Sequence, residues 1–399
     1  MRKTYPGTEG GPFHKILLMF NAIDRIPPIL FGISLALVAV GSALTLRSLG
    51  IPPTTAWSGA VMLVAAFVGD WLLLAALPRA NRSFGPVLPP LALLAALRTL
   101  VGVALCLTPL AGISPAGAAL LAGLAQFFGT FLVYRGFWLE PLTLTLTHHS
   151  IPSAKLATAV RPLRLLHLAD IHMERLTARD REVMRQAAAL APDAILFSGD
   201  FLNLSRVYDP AAWADLRAML GALHAPLGLY VVTGSPPVDV PEVVPKLLEG
   251  LKVRWLRDER VTLGRDGCAV EVVGLTCTHM PERDAPRLAA LLDGSLRERF
   301  TILLYHSPDL APDAARLGVD LQLSGHTHGG QVRLPFYGAL YAGSIYGKRY
   351  EMGLYKVGRM RLFVSRGIGM EGKGAPRVRF LCPPEIALFE VGPSPSPSH

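Results

Sequence analysis

Leu321-Gln322-Leu323-Ser324-Gly325-His326-Thr327-His328-Gly329-Gly330 is a short apolar run that breaks into a glycine-flanked pair of histidines. The run reads as a buried strand, and Gly325 ends it. In extended chain the two members of an H-x-H pair point to opposite faces. His326 and His328 can therefore reach one site only where the strand has given way to a loop. Both stand beyond the apolar run, where that condition is met.

Working outward, the same arrangement recurs. Leu163 to Leu168 runs into Asp170-Ile171-His172, Ala194 to Phe197 into Gly199-Asp200, and Ile302 to Tyr305 into His306. Leu229 to Val232 and Val270 to Leu275 are two more buried runs, while Arg179 to Leu190, Ala211 to Leu223 and Glu282 to Leu292 have helical patterning. Such alternation predicts an α/β layered domain. Taken singly, Asp200 reads as a turn residue, His306 as a strand-end histidine, and His326 and His328 as polar loop residues. Taken together, Asp170, His172, Asp200, His306, His326 and His328 supply a mixture of imidazole and carboxylate. That mixture selects transition metals such as Mn, Fe or Zn over Mg or Ca, and one Asp can bridge two ions. They suffice for a two-metal centre of the kind that clamps the attacking and leaving oxygens in phosphoryl transfer.

In this order the motifs over residues 160–391 resemble the calcineurin-like metallophosphoesterase superfamily, whose pattern is D-x-H, G-D, G-N-H-[D/E], a lone His and G-H-x-H. Downstream, Gly325 to Gln331, Leu334-Pro335-Phe336, Gly353-Leu354-Tyr355, Val364 to Gly369 and Pro384-Glu385-Ile386 resemble a membrane-anchored bacterial branch. That branch includes enzymes cleaving the pyrophosphate of UDP-2,3-diacylglucosamine. The resemblance implies a β-sandwich flanked by helices. It also implies two divalent transition-metal ions, Mn first, with Fe or Zn as alternatives. Asp170, His172, Asp200 and His328 would hold the first ion; Asp200, His306 and His326 would hold the second.

One motif departs from the pattern. Where G-N-H-[D/E] should follow Val231-Val232-Thr233, the chain reads Gly234-Ser235-Pro236-Pro237. In the family the Asn ligates the second metal, and the His assists the transition state or leaving group. Ser235 offers only a hydroxyl and Pro236 no side-chain donor. The expected activity is hydrolysis of a phosphodiester or pyrophosphate bond in a lipid-linked or UDP-linked substrate. The alternative is a metal-binding relative with impaired catalysis. Asp200 and Arg366 are the candidate catalytic residues, and Arg366 and Ser235 the candidate substrate-binding ones. Arg366, before Gly367-Ile368-Gly369, is either a fork donor to phosphate or a structural arginine. Asn203 is either a replacement ligand or a loop residue. His279 is either a replacement acid or an ordinary loop histidine.

The first third of the chain is different. Four windows, about Ile29 to Leu46, Ala56 to Leu77, Leu88 to Leu110 and Ala116 to Val133, meet or approach the roughly 20 apolar residues that cross a bilayer. Prolines cluster near their edges, where helices tolerate them. Arg2, Lys3, Lys15, Arg25, Arg79, Arg82 and Arg135 fall on one side and little beyond Arg47 on the other, so both ends are expected in the cytoplasm at the inner membrane. The expected divisions are an N-terminal segment at 1–27, four transmembrane helices at 28–135, a linker at 136–160, the phosphoesterase domain at 161–391 and a disordered Pro/Ser-rich tail at 392–399. Intramembrane Asp70 and Arg98 form a structural pair, lie near an interface, or mark a transport or lipid-entry path. The net charge of +9 is not gathered into an aromatic-laced basic stripe, which argues for anionic lipid and against nucleic acid. Cys106, Cys268, Cys277 and Cys382 lack C-x-x-C spacing and are expected as buried thiols. Oligomeric state is not legible.

Overall fold

The structure, a computed structural model, describes residues 22–292, 298–372 and 376–393. Arg2, Lys3 and Lys15 and most of the expected tail, residues 394–399, lie outside the described residues. The chain divides into two compact units, one covering 22–139 with 372 and 376–377, the other 140–371 with 378–393.

The first unit holds helices α1 (Pro28–Ser48), α2 (Pro53–Ala76), α3 (Leu88–Cys106) and α4 (Pro115–Tyr134). Prolines stand in the first turn of all four, where the missing N–H is no loss. Small residues fill the helix interfaces, among them Ala39, Ala43, Ala56, Ala60, Ala95 and Ala122. Large apolar side chains point outward instead, with Ile29 78% and Phe127 77% exposed. That distribution is inverted relative to a soluble bundle and suits a lipid surface. All four helices are long and apolar enough to span a membrane, and the chain is a membrane protein.

Asp70 and Arg98 meet inside this bundle. Arg98 Nε and Nη2 donate to the two Asp70 carboxylate oxygens at 2.6 and 2.7 Å. Nη1 donates to the Gln126 carbonyl at 2.8 Å, and Nη2 also to the Thr130 hydroxyl at 2.9 Å. Every guanidinium nitrogen is engaged, so the structural pair accounts for both charges. Asp70→Ala leaves Arg98 uncompensated and is expected to destabilise the bundle by about 3–5 kcal/mol. Thermal unfolding of the detergent-solubilised protein measures this, and an unchanged midpoint would contradict it.

The second unit is an α/β sandwich. Its strands are β1 (Thr145–Pro152), β2 (Leu163–Leu168), β3 (Ala194–Phe197), β4 (Leu229–Val231), β5 (Val253–Trp255), β6 (Glu259–Arg265) and β7 (Cys268–Gly274). They continue with β8 (Phe300–Leu304), β9 (Leu321–Ser324), β10 (Arg333–Leu334), β11 (Gly338–Ala339), β12 (Gly353–Val357), β13 (Met360–Val364) and β14 (Glu385–Gly392). The helices are α5 (Ala178–Leu190), α6 (Pro210–Ala222), α7 (Val244–Leu248), α8 (Pro281–Leu291) and α9 (Ala311–Arg316). One six-stranded sheet has the order β1-β14-β2-β3-β4-β5, the other β12-β13-β9-β8-β7-β6.

Alternation along the strands explains the layering. Leu163 and Leu165 of β2 and Ala194 and Leu196 of β3 share one core with Ile302, Leu304, Leu321 and Leu323 of the opposite sheet. Leu166, Leu168, Ile195 and Phe197 point the other way and pack with Val183, Leu216 and Leu247 of the helices α5 to α7. Leu303 and Val364 pack with Leu288 and Ala311 on the far side of the second sheet. The four cysteines are buried and free.

Residues 136–160, expected as a linker, are instead structured. A π-helical turn at Arg135–Leu139 is followed by β1, which pairs in parallel with β14 at a sheet edge. Thr145-Leu146-Thr147-His148-His149 carries too little apolar character to announce a strand, because an edge strand buries little. The same reason hides β12, whose side chains alternate between half-buried and exposed, and β6, which buries Leu263 alone.

Candidate metal centre

Strands β2 to β5 run parallel to one another, as do β7 to β9. Chain leaving parallel strands emerges at one edge of the sheet, the usual place for a site. Asp170 and His172 follow β2, Asp200 follows β3, Ser235 follows β4, His279 follows β7, His306 follows β8, and His326 and His328 follow β9. Asp170, His172, Asp200, His279, His326 and His328 all have positive φ, between 42° and 71°. Side chains rarely adopt that conformation, and it turns each of them out of its strand direction. Two glycines make room. Gly199, with φ 101°, passes so close to the Gly234 backbone that a Cβ would collide with it, and a Cβ at Gly325 would strike the Asp170 carboxylate.

The six predicted ligands converge. His172 Nε2 is 3.0 Å from His328 Nε2 and 3.4 Å from Asp200 Oδ2. His328 Nε2 is 3.7 Å from Asp170 Oδ1, and His306 Nε2 is 3.2 Å from Asp200 Oδ2. Donor atoms of Asp170, His172 and His328 lie within 4.8 Å of one another, as do those of Asp170, Asp200 and His306, and those of His279, His306 and His326. Asp200 touches imidazoles of both triads that contain the other ligands. Asp170, His172, Asp200, His306 and His328 are buried.

These donors fit divalent cations on two observations. Asp170 Oδ2 is buried and has no hydrogen-bond partner among the described residues. The His172 and His328 nitrogens face each other at hydrogen-bonding distance, although only one of them can carry a proton there. Burial, followed by the neighbouring charged groups, sets the electrostatics. Burial pushes the Asp170 carboxyl up to about 6. Burial would also raise Asp200, but the His306 and His172 imidazoles overcome it and hold that carboxyl well below the usual range. Burial opposes charge on His306, and adjacent Asp200 reverses this, raising the imidazole to about 9. His326 and His328 are driven well below the usual imidazole range by burial first. His326 and His328 are thus held neutral, the form in which imidazole binds a metal, while His306 and His172, raised beside carboxylates, would release a proton on binding one.

The altered motif lies against this cluster. Ser235 N donates to Asp200 Oδ1 at 2.6 Å, and its hydroxyl is 3.2 Å from Asp200 Oδ2 and 3.2 Å from His306 Nε2. Pro236 and Pro237 are exposed. Arg366 is not brought into the cluster by its guanidinium. Nη2 donates to the Thr145 hydroxyl at 2.7 Å and to Glu385 at 3.2 Å, which is the structural of its two readings. Asn203 also serves its loop: its amide donates to the Met370 carbonyl and its oxygen accepts from Ser205.

Three supporting residues were not legible in the sequence. Asp239 accepts from the backbone N–H groups of Asp200, Phe201 and Gly234 at 2.8, 2.9 and 2.6 Å, tying the β3 and β4 loops together. Glu371 Oε2 stands 2.8 Å from His172 Nδ1, the outer contact that orients a ligand imidazole. Arg379, fully buried, donates to the carbonyls of Arg366 at 2.7 Å and Gly367 at 3.2 Å, and also to that of Gly369. None carries a local spacing signal, because each acts on groups that only the folded loops bring to it.

Comparison with known proteins agrees with this geometry. Residues 163–330 match the model of the calcineurin-like phosphoesterase family. The metallophosphoesterase YkuE of Bacillus subtilis is 32% identical over 262 residues, 64% of this chain and 87% of that protein. The phosphodiesterase YaeI of Escherichia coli is 27% identical over 63% of this chain and 90% of that one. The UDP-2,3-diacylglucosamine pyrophosphatase LpxG of Chlamydia trachomatis is 25% identical, also over 63% and 90%. With this sandwich and this strand-end cluster, the chain belongs to the calcineurin-like metallophosphoesterases, a family of hydrolases.

Proposed function

We propose that the protein hydrolyses a phosphodiester or pyrophosphate bond in a lipid-linked or UDP-linked substrate at the cytoplasmic face of the inner membrane. The observation that carries this is the convergence of Asp170, His172, Asp200, His306, His326 and His328 at the ends of parallel strands. Two divalent ions, Mn before Fe or Zn, would supply Lewis-acid polarisation of the phosphoryl group and activation of water at neutral pH. Asp170, His172, Asp200 and His328 would hold one, and Asp200, His306 and His326 the other. Asp200, contacting His172 of one set and His306 of the other, would serve both ions and is the residue on which catalysis most depends. The Ser198 carbonyl, 3.0 Å from His306 Nδ1, accepts that proton and leaves Nε2 turned toward Asp200. The Glu371 carboxylate, 2.8 Å from His172 Nδ1, faces that imidazole as a charge partner.

The membrane helices support an amphiphilic substrate, since a site tethered to a bilayer meets lipid-linked phosphates without leaving the surface. Similarity to LpxG supports the same class. Arg25, Arg79, Arg82 and Arg135 support the cytoplasmic face. The second reading, a metal-binding relative with impaired turnover, rests on Gly234-Ser235-Pro236-Pro237.

Sealed membrane vesicles separate these readings. Inside-out vesicles stripped with chelator and resupplied with Mn are expected to hydrolyse bis-p-nitrophenyl phosphate and a UDP-linked diacylglucosamine above the level of vesicles carrying Asp200→Ala. Right-side-out vesicles are expected to do so only after detergent. Activity from right-side-out vesicles without detergent overturns the orientation, and no activity in detergent overturns catalysis.

A further inference from the structure

We infer that His279 is a ligand of the second ion, taking the place left by the amide that Ser235 replaces. The inference rests on the two-ion reading above and deepens it. In the family pattern an Asn after the fourth strand completes the second site, and here that position offers a hydroxyl. A weak ligand there leaves Asp200, His306 and His326 to hold the ion.

The structure places a third imidazole on that side. His279 Nε2 lies 3.2 Å from the Ser235 hydroxyl, whose oxygen is itself 3.2 Å from both Asp200 Oδ2 and His306 Nε2. The His279 ring centroid is 4.4 Å from that of His326 and 5.9 Å from that of His306. One nitrogen from each of the three rings falls within a 4.8 Å sphere of mutual distance. Imidazole is a stronger ligand than a hydroxyl for Mn, Fe or Zn.

The position is built. His279 leaves β7, the neighbour of the β8 strand that delivers His306. Its loop is pinned from the preceding residue: Thr278 N and Oγ1 donate to the buried Asp284 carboxylate at 2.9 and 2.8 Å. Asp284 also accepts from the Tyr305 hydroxyl at 2.6 Å and from Arg287 at 2.9 Å. His279 has a positive φ, 56°, as do Asp170, His172, Asp200, His326 and His328.

The test uses the full-length detergent-solubilised protein, stripped and reloaded with Mn alone. Wild type is expected to retain two ions per chain and to show the exchange-coupled electron paramagnetic resonance signal of a Mn pair. His279→Ala is expected to retain the first ion, bind the second at least about tenfold more weakly, since even outer-shell changes cost 10–100-fold, and show an isolated-ion signal. His279→Gln, which offers an amide oxygen in place of the imidazole nitrogen, is expected to lie between. Adding Ser235→Asn to His279→Ala should restore the coupled signal. Two ions with unchanged affinity in His279→Ala, with or without a fall in turnover, overturn the ligand role, as does loss of both ions from it. Absence of Mn from wild type overturns the two-ion reading instead.

Discussion

Asp200→Ala is expected to empty both ion sites and lower turnover by more than about 10³-fold, because losing one preorganised electrostatic contact already costs about 10² to 10³. The geometry sets the size of this effect. Asp200 Oδ2 stands 3.4 Å from His172 and 3.2 Å from His306, so its removal takes a donor from each of the two proposed ligand sets at once. His306→Ala should be different in kind, since it weakens chiefly the second site. Asp200→Asn, which keeps the side-chain shape and can still accept from Ser235 N, separates lost ligation from a rearranged β4 loop. Metal content and turnover measured on the three variants distinguish these outcomes. Retention of both ions by Asp200→Ala at wild-type affinity would remove Asp200 as the shared ligand.

Restoring the family motif with Ser235→Asn, Pro236→His and Pro237→Asp is expected to raise turnover of alkyl phosphodiesters far more than that of aryl esters or pyrophosphates. A positioned acid assists a departing oxygen by about 10² to 10⁴ when that oxygen leaves as a basic alkoxide. A phosphate leaving group, with a last pKa near 6, needs little protonation at neutral pH. Pro236, exposed beside the cluster, has no proton to give. The present chain should therefore work best on substrates with good leaving groups, which fits a pyrophosphate. The measurement is the ratio of kcat/KM for aryl and alkyl esters in the two proteins. An unchanged ratio in a folded, fully metallated variant would show that position 236 is not where the acid acts.

Much of this was readable from residue order. The runs at 163–168 and 194–197 form strands with those bounds, and the helical patterning at 179–190, 211–223 and 282–292 matches α5, α6 and α8 to within a residue at each end. Strands buried on both faces are continuous in apolar character, and the residues after them stand out by contrast. Edge strands such as β1 and β12 leave no such contrast. Pairing decides them: β1 joins β14 from the far end of the chain, and β12 forms a hairpin with β13. The ligands were legible because two short motifs, D-x-H and G-H-x-H, each place two donors close in sequence. His279 stood out only as a histidine at a strand end, and its approach to His326 is purely tertiary. Asp239, Glu371 and Arg379 are legible only once the loops they bind are in place. Arg366 carried a phosphate-binding alternative in sequence; in the structure its Nη2 pairs with Glu385, 19 residues on, a contact no local spacing announces.

The most direct test of the central claim is anomalous X-ray scattering at the manganese edge from crystals of the Mn-loaded full-length protein. Two peaks are expected, both beside Asp200, one within ligand distance of Asp170, His172 and His328 and the other within ligand distance of His306 and His326. A single peak, or peaks away from these strand ends, would contradict a two-ion centre built by this chain.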